Sequence, residues 1–238
     1  MAGANTTFVA DQTAKLMRQN VKGEQVGLRE RFRELAKKLG KQHAIDWLRE
    51  HVHVTKQFRK LFIDTDWAVA DTEATGIGDA DQICELAVIR GHDRKTLFNK
   101  LMSTTCPMQT GAVGQHGITA EMLRGEPTFA DCQDEIDQSM SEIGRVLWYN
   151  GAFDVRMKQQ TAFAQGIQDP EWPEFIEVML SVGTWCGSWN ARKNGWRWPK
   201  LEGGHRARGD CLYLIDHMCI MSTSNTEYAQ QLIEDAKI

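Results

Sequence analysis

Proline is scarce in this sequence, with five residues in 238, which excludes a proline-rich linker or a polyproline segment. Long apolar stretches are also missing, because none approaches the roughly 20 residues of a membrane-spanning helix. The first residues lack the apolar core of a signal peptide, and no internal repeat is present. Six cysteines occur without a Cys-x-x-Cys pair, which argues against a zinc site. We therefore expect a cytoplasmic protein with reduced thiols and no contact with membranes.

The composition is otherwise that of a globular chain, with 42% hydrophobic and 25% charged residues. The net charge of -4 hides an asymmetry between two parts of the sequence. Residues 1–60 contain 13 Lys and Arg against 6 Asp and Glu (+7), whereas residues 61–238 contain 15 against 26 (-11). We predict a basic helical N-terminal arm at 1–60 and an acidic body at 61–238. Such an arm favours a polyanion or an acidic protein as its partner.

Helical spacing of apolar residues runs through the arm from about residue 11 to residue 60. Two helices separated by a stop signal at Gly40 are predicted, with apolar positions at Leu28, Phe32, Leu35, Ala36, Leu39, Ala44, Ile45 and Leu48. Residues 35–40 are similar to the first helix and turn of a helix-turn-helix. Asp46 and Arg49, however, occupy positions where its second helix would need apolar residues. We favour a helical hairpin that is packed or binds a partner.

Beyond residue 66 strands come first and helices are interleaved later, which predicts an α/β fold. The predicted strands are 67–70, 83–90, 95–102 and 145–149, and the predicted helices are 119–124, 128–143, 153–165, 208–221 and 226–237. A capping box at 224–227 predicts the start of the last helix. The segment 176–182 fits either a strand or a buried helix.

Asp71 and Glu73 directly follow the first predicted strand. They are two positions apart, so an extended backbone points both side chains to one face, roughly 7 Å apart. Ionised carboxylates are costly to bury without a partner, and hard cations take oxygen ligands. The pair therefore indicates either a cation site or a solvated polar turn.

Asp154 and Asp210 stand in the first turns of two predicted helices, and His205 follows Gly203-Gly204 in the loop before Asp210. Taken singly, these acids fit helix caps and the histidine fits an ordinary loop residue. Taken with the strand pair, four carboxylates brought close together could not all stay ionised without cations. Two divalent ions about 3.5–4 Å apart would neutralise them, activate a water and stabilise the leaving oxygen of a phosphodiester. A nearby histidine suits removal of the water's proton at neutral pH.

The order of these residues resembles the DnaQ-like 3′–5′ exonuclease superfamily in its DEDDh branch. The similar segments, within about residues 66–221, are Asp71-x-Glu73-x-Thr75-Gly76, His116-Gly117-Ile118-Thr119, Asn150-x-x-Phe153-Asp154 and His205-Arg206-Ala207-x-x-Asp210. The resemblance implies a ribonuclease H-like mixed sheet flanked by helices, here with an N-terminal helical extension, and an exonuclease domain at 61–238. It also implies two Mg2+ or Mn2+ ions and stepwise release of nucleoside 5′-monophosphates from 3′ ends.

The resemblance also implies a role for each matching residue. The metal ligands would be Asp71, Glu73, Asp154 and Asp210, with Asp71 contacting both ions. His205 would be the general base. The residues expected near the terminal nucleotide or lining the site are Thr72, Thr75, Asn150 and Phe153.

Two further features of the sequence bear on the resemblance, one in agreement with it and one a departure. Arg206 occupies the position where the sister branch has a tyrosine, which agrees with the DEDDh assignment. Only three residues separate Leu201 from His205, where many relatives have a longer segment. The wall beside the histidine is therefore expected to be short, which affects the shape of the substrate more than the chemistry.

A tryptophan-rich, basic stretch precedes the histidine loop. Its members are Trp185, Trp189, Arg192, Lys193, Trp196, Arg197, Trp198 and Lys200. Aromatic rings stack on unpaired bases and basic side chains meet phosphates, which predicts substrate contacts by Trp196 and Arg197. The alternative is that two or three of these tryptophans belong to a core.

These observations predict a metal-dependent 3′–5′ exonuclease that acts on single-stranded or frayed DNA. The preference for DNA rests on Ala74-Thr75-Gly76, which resembles proofreading and ExoX-type members, whereas oligoribonucleases usually carry Met-Thr-Gly. One alternative is an RNase T-like 3′–5′ exoribonuclease. A second alternative is a non-catalytic nucleic-acid-binding or polymerase-associated module, although binding alone does not require such a set of acids.

Overall fold

The computed structural model describes residues 27–237. In chain order, its elements are α1 (helical over the described residues 27–39), α2 (Lys41–Leu61), β1 (Trp67–Ala74), β2 (Ile83–Arg90), β3 (Thr96–Leu101), α3 (Thr110–His116), α4 (Gln133–Met140), β4 (Arg145–Trp148), α5 (Gly151–Ala164), β5 (Glu174–Glu177), α6 (Met179–Cys186), β6 (Trp189–Asn190), β7 (Gly195–Trp196), α7 (Ala207–Ser222) and α8 (Thr226–Lys237). None of the helices in this part of the chain combines the length and apolar composition that a membrane crossing requires.

The main sheet has five strands in the order β3-β2-β1-β4-β5. Strand β1 is antiparallel to β2 but parallel to β4, and β4 is parallel to β5. This mixed sheet confirms the predicted ribonuclease H-like α/β class. The pairing of β1 with β4 ends at Val69 and Leu147, so the last residues of β1 extend beyond β4 and pair only with β2.

The described chain divides into two compact units that are not continuous in sequence. One, here called the sheet unit, contains residues 64–179 and 200–217; the other, called the helical unit, contains residues 27–63, 180–199 and 218–237. The predicted boundary after residue 60 stays a prediction.

Each unit has its own apolar core. In the sheet unit the buried side chains of Ala68, Ala70, Phe98, Ile136 and Met157 belong to one cluster. In the helical unit, Leu28 and Leu35 of α1, Ile45 and Leu48 of α2, and Leu232 and Ile233 of α8 form another. The predicted pair of arm helices is confirmed for residues 27–60, with Gly40 between them at a φ of 94°. Residues 11–26 of the predicted helical arm lie outside the described residues.

Two predicted helices differ from the structure. The helix predicted at 119–124 is wrong, because these residues form turns between Gly117 and Gly125, which both have left-handed backbones. The backbone amides of this segment donate to carbonyl oxygens three residues earlier, which is the pattern of successive turns and not of an α-helix. The helix predicted at 128–143 is shorter, since the Thr128 hydroxyl and amide both donate to Asp131 and hold a turn before α4.

The other predicted elements are confirmed within a few residues. The ambiguous segment 176–182 contains the end of β5 and the start of α6, so both interpretations hold in part. The last helix begins at the predicted residue, with the Asn225 side chain accepting a hydrogen bond from the Tyr228 amide at 2.9 Å. Helix α3 was not predicted.

Candidate active site

Three of the predicted metal ligands lie together in the sheet unit. Asp71 and Glu73 sit on the part of β1 that extends beyond β4, and Asp210 lies in the first turn of α7. One carboxylate oxygen of each lies within 4.8 Å of the others. The thiol of Cys211 lies 3.6 Å from the Val69 carbonyl oxygen, which shows that α7 packs against β1 beside the acids. The alternation of side chains along β1 thus forms the predicted same-face pair.

Asp154, the fourth predicted metal ligand, lies in the first turn of helix α5 and contacts β1. Its Oδ1 accepts a hydrogen bond of 2.6 Å from the Thr72 hydroxyl, and both side chains are buried. Thr72 alternates with Asp71 and Glu73 along the strand, so its side chain points to the opposite face. Asp154 is not one of the three acids grouped within 4.8 Å. It lies near enough to the group for its charge to raise the pKa of Asp71.

The start of α5 is held by an acid that sequence reasoning missed. Asn150 adopts a left-handed backbone with a φ of 67°, and its amide and that of Gly151 donate to the two oxygens of Glu177 at 3.2 and 2.8 Å. A carboxylate at a helix N-terminus satisfies amides that have no partner inside the helix. Glu177 therefore fixes the first turn of α5, which carries Phe153 and Asp154. The Asn150 side chain is exposed, and the Phe153 ring is half-buried under the Arg156 guanidinium.

The acids raise one another's pKa values. Burial raises the pKa of Asp71 well above its ordinary value, and the charges of Asp154, Glu73 and Asp210 raise it further. Burial, followed by the charge of Asp210, raises the pKa of Glu73 to about 8. Burial raises the pKa of Asp154 to about 7 against the opposing hydrogen bond from Thr72. Positive charge bound among these carboxylates would therefore stabilise their ionised forms.

Asp210 provides the clearest sign that the group fits a cation. Its Oδ1 is buried and accepts no hydrogen bond from any residue that the structure describes. Burial raises the pKa of this carboxyl, while a hydrogen bond from the Gly203 backbone lowers it. A buried carboxylate oxygen without a donor is unfavourable, and oxygen-rich groups of this kind are what Mg2+ and Mn2+ bind. The residues present therefore fit a divalent cation.

The loop of His205 closes on itself just before Asp210. Gly203 and Gly209 approach so closely that a Cβ on Gly209 would lie 2.0 Å from the Gly203 carbonyl oxygen. His205 itself has a left-handed backbone with a φ of 52°. The Gln115 amide nitrogen lies 3.0 Å from Nδ1 and 2.9 Å from Nε2 of the His205 ring. The contact between Gln115 and the His205 ring was not predicted from the sequence.

His116, the neighbour of Gln115, connects α3 to the acid-bearing strand. Its Nε2 lies 3.1 Å from the Ala74 carbonyl oxygen, and its Nδ1 accepts a hydrogen bond from the Ile118 amide. These contacts require the tautomer that carries its proton on Nε2. Burial lowers the pKa of this side chain, in agreement with a neutral ring that serves the packing of α3.

Thr75 lies at the centre of the turn after β1. Its buried hydroxyl donates to Asp81 at 2.8 Å and accepts from the Gln82 amide at 3.0 Å. Its carbonyl oxygen accepts from the Gln109 amide. Thr75 therefore organises the loop at 76–82, and the Thr72 hydroxyl is occupied by Asp154. The substrate contacts predicted for Thr72, Thr75, Asn150 and Phe153 stay predictions.

Trp196 and Arg197 belong to the helical unit, whereas the acids belong to the sheet unit. Trp196 is half-buried on the core of the helical unit, with its ring centroid 5.0 Å from that of Trp189 in an edge-to-face arrangement. Arg197 is exposed. Two tryptophans of the stretch therefore pack against a core, as the alternative interpretation required. The substrate contacts of Trp196 and Arg197 stay predictions.

A fifth acid, Glu85 on β2, was not predicted to belong to the site. It is the antiparallel register partner of Glu73, and its buried carboxylate binds the Arg206 guanidinium and the Ala207 amide. An isolated glutamate inside the apolar strand Ile83–Arg90 was the only signal in the sequence that could have identified it.

Comparisons with known proteins agree with this geometry. The exonuclease family RNase_T matches residues 68–218. An uncharacterized exonuclease of Escherichia phage 186, CP81, is 31% identical over 172 residues, which are 65% of this chain and 87% of that protein.

Solved structures show the same fold. E. coli Exonuclease I in complex with a dA16 oligonucleotide superimposes with a TM-score of 0.52 and 18% identity, over 72% of this chain and 43% of that one. This chain thus spans less than half of that enzyme. The nuclease domain of 3′hExo, a DEDDh family member bound to rAMP, gives a TM-score of 0.52 and 14% identity, over 66% and 92% of the two chains. By its sequence match and its fold, the chain belongs to the RNase_T exonuclease family, which confirms the DnaQ-like resemblance.

Proposed function

We propose that this protein is a 3′–5′ exonuclease that hydrolyses single-stranded or frayed DNA and releases nucleoside 5′-monophosphates. The observation that carries the proposal is the cluster of Asp71, Glu73 and Asp210 within 4.8 Å. The buried Asp210 Oδ1 without a donor in the described chain supports a cation there. The family assignment supports phosphodiester hydrolysis.

The four acids Asp71, Glu73, Asp154 and Asp210 would hold two Mg2+ or Mn2+ ions. When bound, such ions lower the pKa of water and stabilise the charge that develops on a phosphodiester. The Thr72 hydroxyl keeps Asp154 in place through its hydrogen bond of 2.6 Å.

His205 would act as the general base. A ring nitrogen of this residue would take the proton of the attacking water. Gln115, which contacts the ring in the structure, would orient it. The left-handed backbone of His205 and the close approach of the Gly203 and Gly209 backbones support a defined position for this side chain.

Exposed basic residues on the N-terminal helices support a nucleic acid as substrate. Four examples on α1 and α2 are Arg29, Arg33, Lys37 and Lys41. Clustered positive charge attracts the phosphate backbone independently of sequence. We assign this surface to DNA and regard an acidic protein as the alternative partner of the arm.

DNA is proposed as the substrate because of the Ala74-Thr75-Gly76 motif, and Exonuclease I, which shares the fold, binds a dA16 oligonucleotide. The rAMP held by 3′hExo favours the RNase T-like alternative. A non-catalytic module is disfavoured, because acids with pKa values raised this far would weaken a fold that had no cation to bind.

The test is a side-by-side digestion of single-stranded DNA, duplex DNA and RNA, each labelled at the 3′ or the 5′ end, with Mg2+, Mn2+ or EDTA. We expect 5′-labelled single-stranded DNA to shorten stepwise and 3′-labelled DNA to release labelled mononucleotide at once, only with metal. Faster loss of RNA than of DNA would establish the RNase T-like alternative. Undigested substrates under all conditions would refute the proposed activity.

A further inference from the structure

Glu85 is a buried acid beside the proposed metal ligand Glu73, on the neighbouring strand. It lies near the start of β2, opposite Glu73, and its side chain is 4% exposed. It raises the pKa values of both Asp71 and Glu73. An acid in this place would work against the ionisation of its neighbours unless a cation of the protein compensated it.

Arg206 supplies that compensating charge. Its Nε lies 2.9 Å from Oε2 of Glu85, and its Nη2 lies 2.6 Å from Oε1, the two-pronged geometry in which arginine binds carboxylates most strongly. The Ala207 amide donates to the same Oε2 at 3.0 Å. One carboxylate on β2 therefore holds both a side chain and the first backbone amide of α7.

The position of this ion pair links it to two residues of the proposed mechanism. His205 immediately precedes Arg206, and Asp210 follows it by four residues, one helical turn later. Both residues are attached to backbone that the bond to Glu85 fixes on the sheet. Arg206 lies where the sister branch has its tyrosine, and its guanidinium binds Glu85.

We propose that Glu85 and Arg206 are positioning residues for the exonuclease reaction, which fasten the His205 loop and the start of α7 to the strand pair that carries Asp71 and Glu73. The inference rests on the proposed function. It predicts that the pair acts on turnover and metal binding rather than on the binding of the polynucleotide.

Three variants test the pair. Glu85→Gln keeps the shape of the side chain and removes its charge, and Arg206→Met keeps the length of the side chain and removes the two-pronged guanidinium. The third is the double variant. The matched control is Arg208→Met, an exposed arginine of the same segment whose Nε contacts Thr96. Losses of about 10- to 100-fold are typical when a residue that orients a metal ligand is removed. We expect a fall of this size in kcat for each single variant with KM within about threefold of wild type, and no change for the control.

A double-variant cycle and the variant Arg206→Lys test whether the two residues act on kcat as a pair. Because both residues act as one unit, kcat of the double variant should fall no further than kcat of the more impaired single variant. Arg206→Lys keeps the positive charge but not the two-pronged contact of the guanidinium, so its kcat should lie between those of wild type and Arg206→Met. Additive losses in the double variant, or Arg206→Lys as slow as Arg206→Met, would overturn the paired role.

Two measurements test the inference without nuclease activity. Mn2+ titration of each variant should show affinity weakened by about 10-fold or more, and hydrogen exchange should accelerate at 203–210 without accelerating in β3. Wild-type Mn2+ affinity together with wild-type exchange in Glu85→Gln and Arg206→Met would overturn the inference even if the protein digests DNA. Inactive wild-type protein with altered Mn2+ binding and exchange in the variants would instead refute the proposed function alone.

Discussion

Glu73→Gln should make the metal-free protein more stable at neutral pH. The pKa of this carboxyl is raised from 4.5 to about 8. The contribution of such a group to stability is intact below its unfolded pKa and is lost as the pH rises toward the folded pKa. Between pH 4.5 and 7 this loss is about 3 kcal/mol at most, and partial access of solvent to Glu73 reduces it to about 1–2 kcal/mol. Glutamine keeps the shape of the side chain and removes its charge, so we expect Glu73→Gln to raise the free energy of unfolding by about 1–2 kcal/mol at pH 7.

The assay is thermal unfolding of wild type and Glu73→Gln in EDTA at pH 4.5 and pH 7. A gain of about 1–2 kcal/mol corresponds to roughly 2–8 °C in Tm for a chain of this size, and the gain should nearly vanish at pH 4.5. Mg2+ should then stabilise wild type more than the variant, because a ligand that binds only the folded state adds stability by mass action.

The control for this experiment is Glu121→Gln, which removes an exposed acid whose partner is Arg124 and should leave the pH dependence unchanged. The reasoning fails if Glu73→Gln is no more stable than wild type at pH 7 in EDTA, or if the difference is the same at both pH values.

Three other variants, two with a single substitution and one with four, probe separate parts of the account. His205→Ala should reduce kcat by about 10²- to 10⁴-fold with little change in Mn2+ affinity, and a wild-type rate near pH 7 would exclude the general-base role. Glu177→Ala removes the acceptor of the first amides of α5 and should lower the free energy of unfolding by about 1–2 kcal/mol, measured by urea denaturation; unchanged stability would mean that water replaces the carboxylate. Glutamine at four exposed basic positions should reduce the slope of log affinity for DNA against log salt concentration by up to about 3–4. An unchanged slope would assign this surface to another partner. Those positions are Arg29, Arg33, Lys37 and Lys41. Substitution is preferable to deletion of 1–60, because α2 packs against α8.

The features that the sequence reveals are those encoded locally. The apolar run before Asp71 predicts a buried strand, and the alternation of Asp71 and Glu73 predicts their common face; both are present in β1. The sequence places Gly203 in the loop before Asp210, and the structure shows why glycine is required there, since its backbone lies against that of Gly209.

The features that the sequence does not reveal depend on partners distant in the chain. Glu85 and Arg206 are 121 positions apart, and neither their neighbours nor their spacing indicates that they meet. The contact of Gln115 with His205 spans 90 positions and depends on α3, a helix of seven residues without a clear apolar face. The grouping of 180–199 and 218–237 with the N-terminal helices likewise follows from tertiary packing, which periodicity along the chain does not record.

The most direct test of the central claim is digestion of a 5′-labelled single-stranded DNA by wild type and by Asp71→Asn, with Mg2+ or with EDTA. The account predicts a ladder that shortens from the 3′ end for wild type with Mg2+, and intact substrate in the other three reactions. Because asparagine is close in shape to aspartate, the variant should retain the wild-type fold by circular dichroism. Equal Mg2+-dependent digestion by folded Asp71→Asn would contradict the claim that these carboxylates hold the catalytic cations.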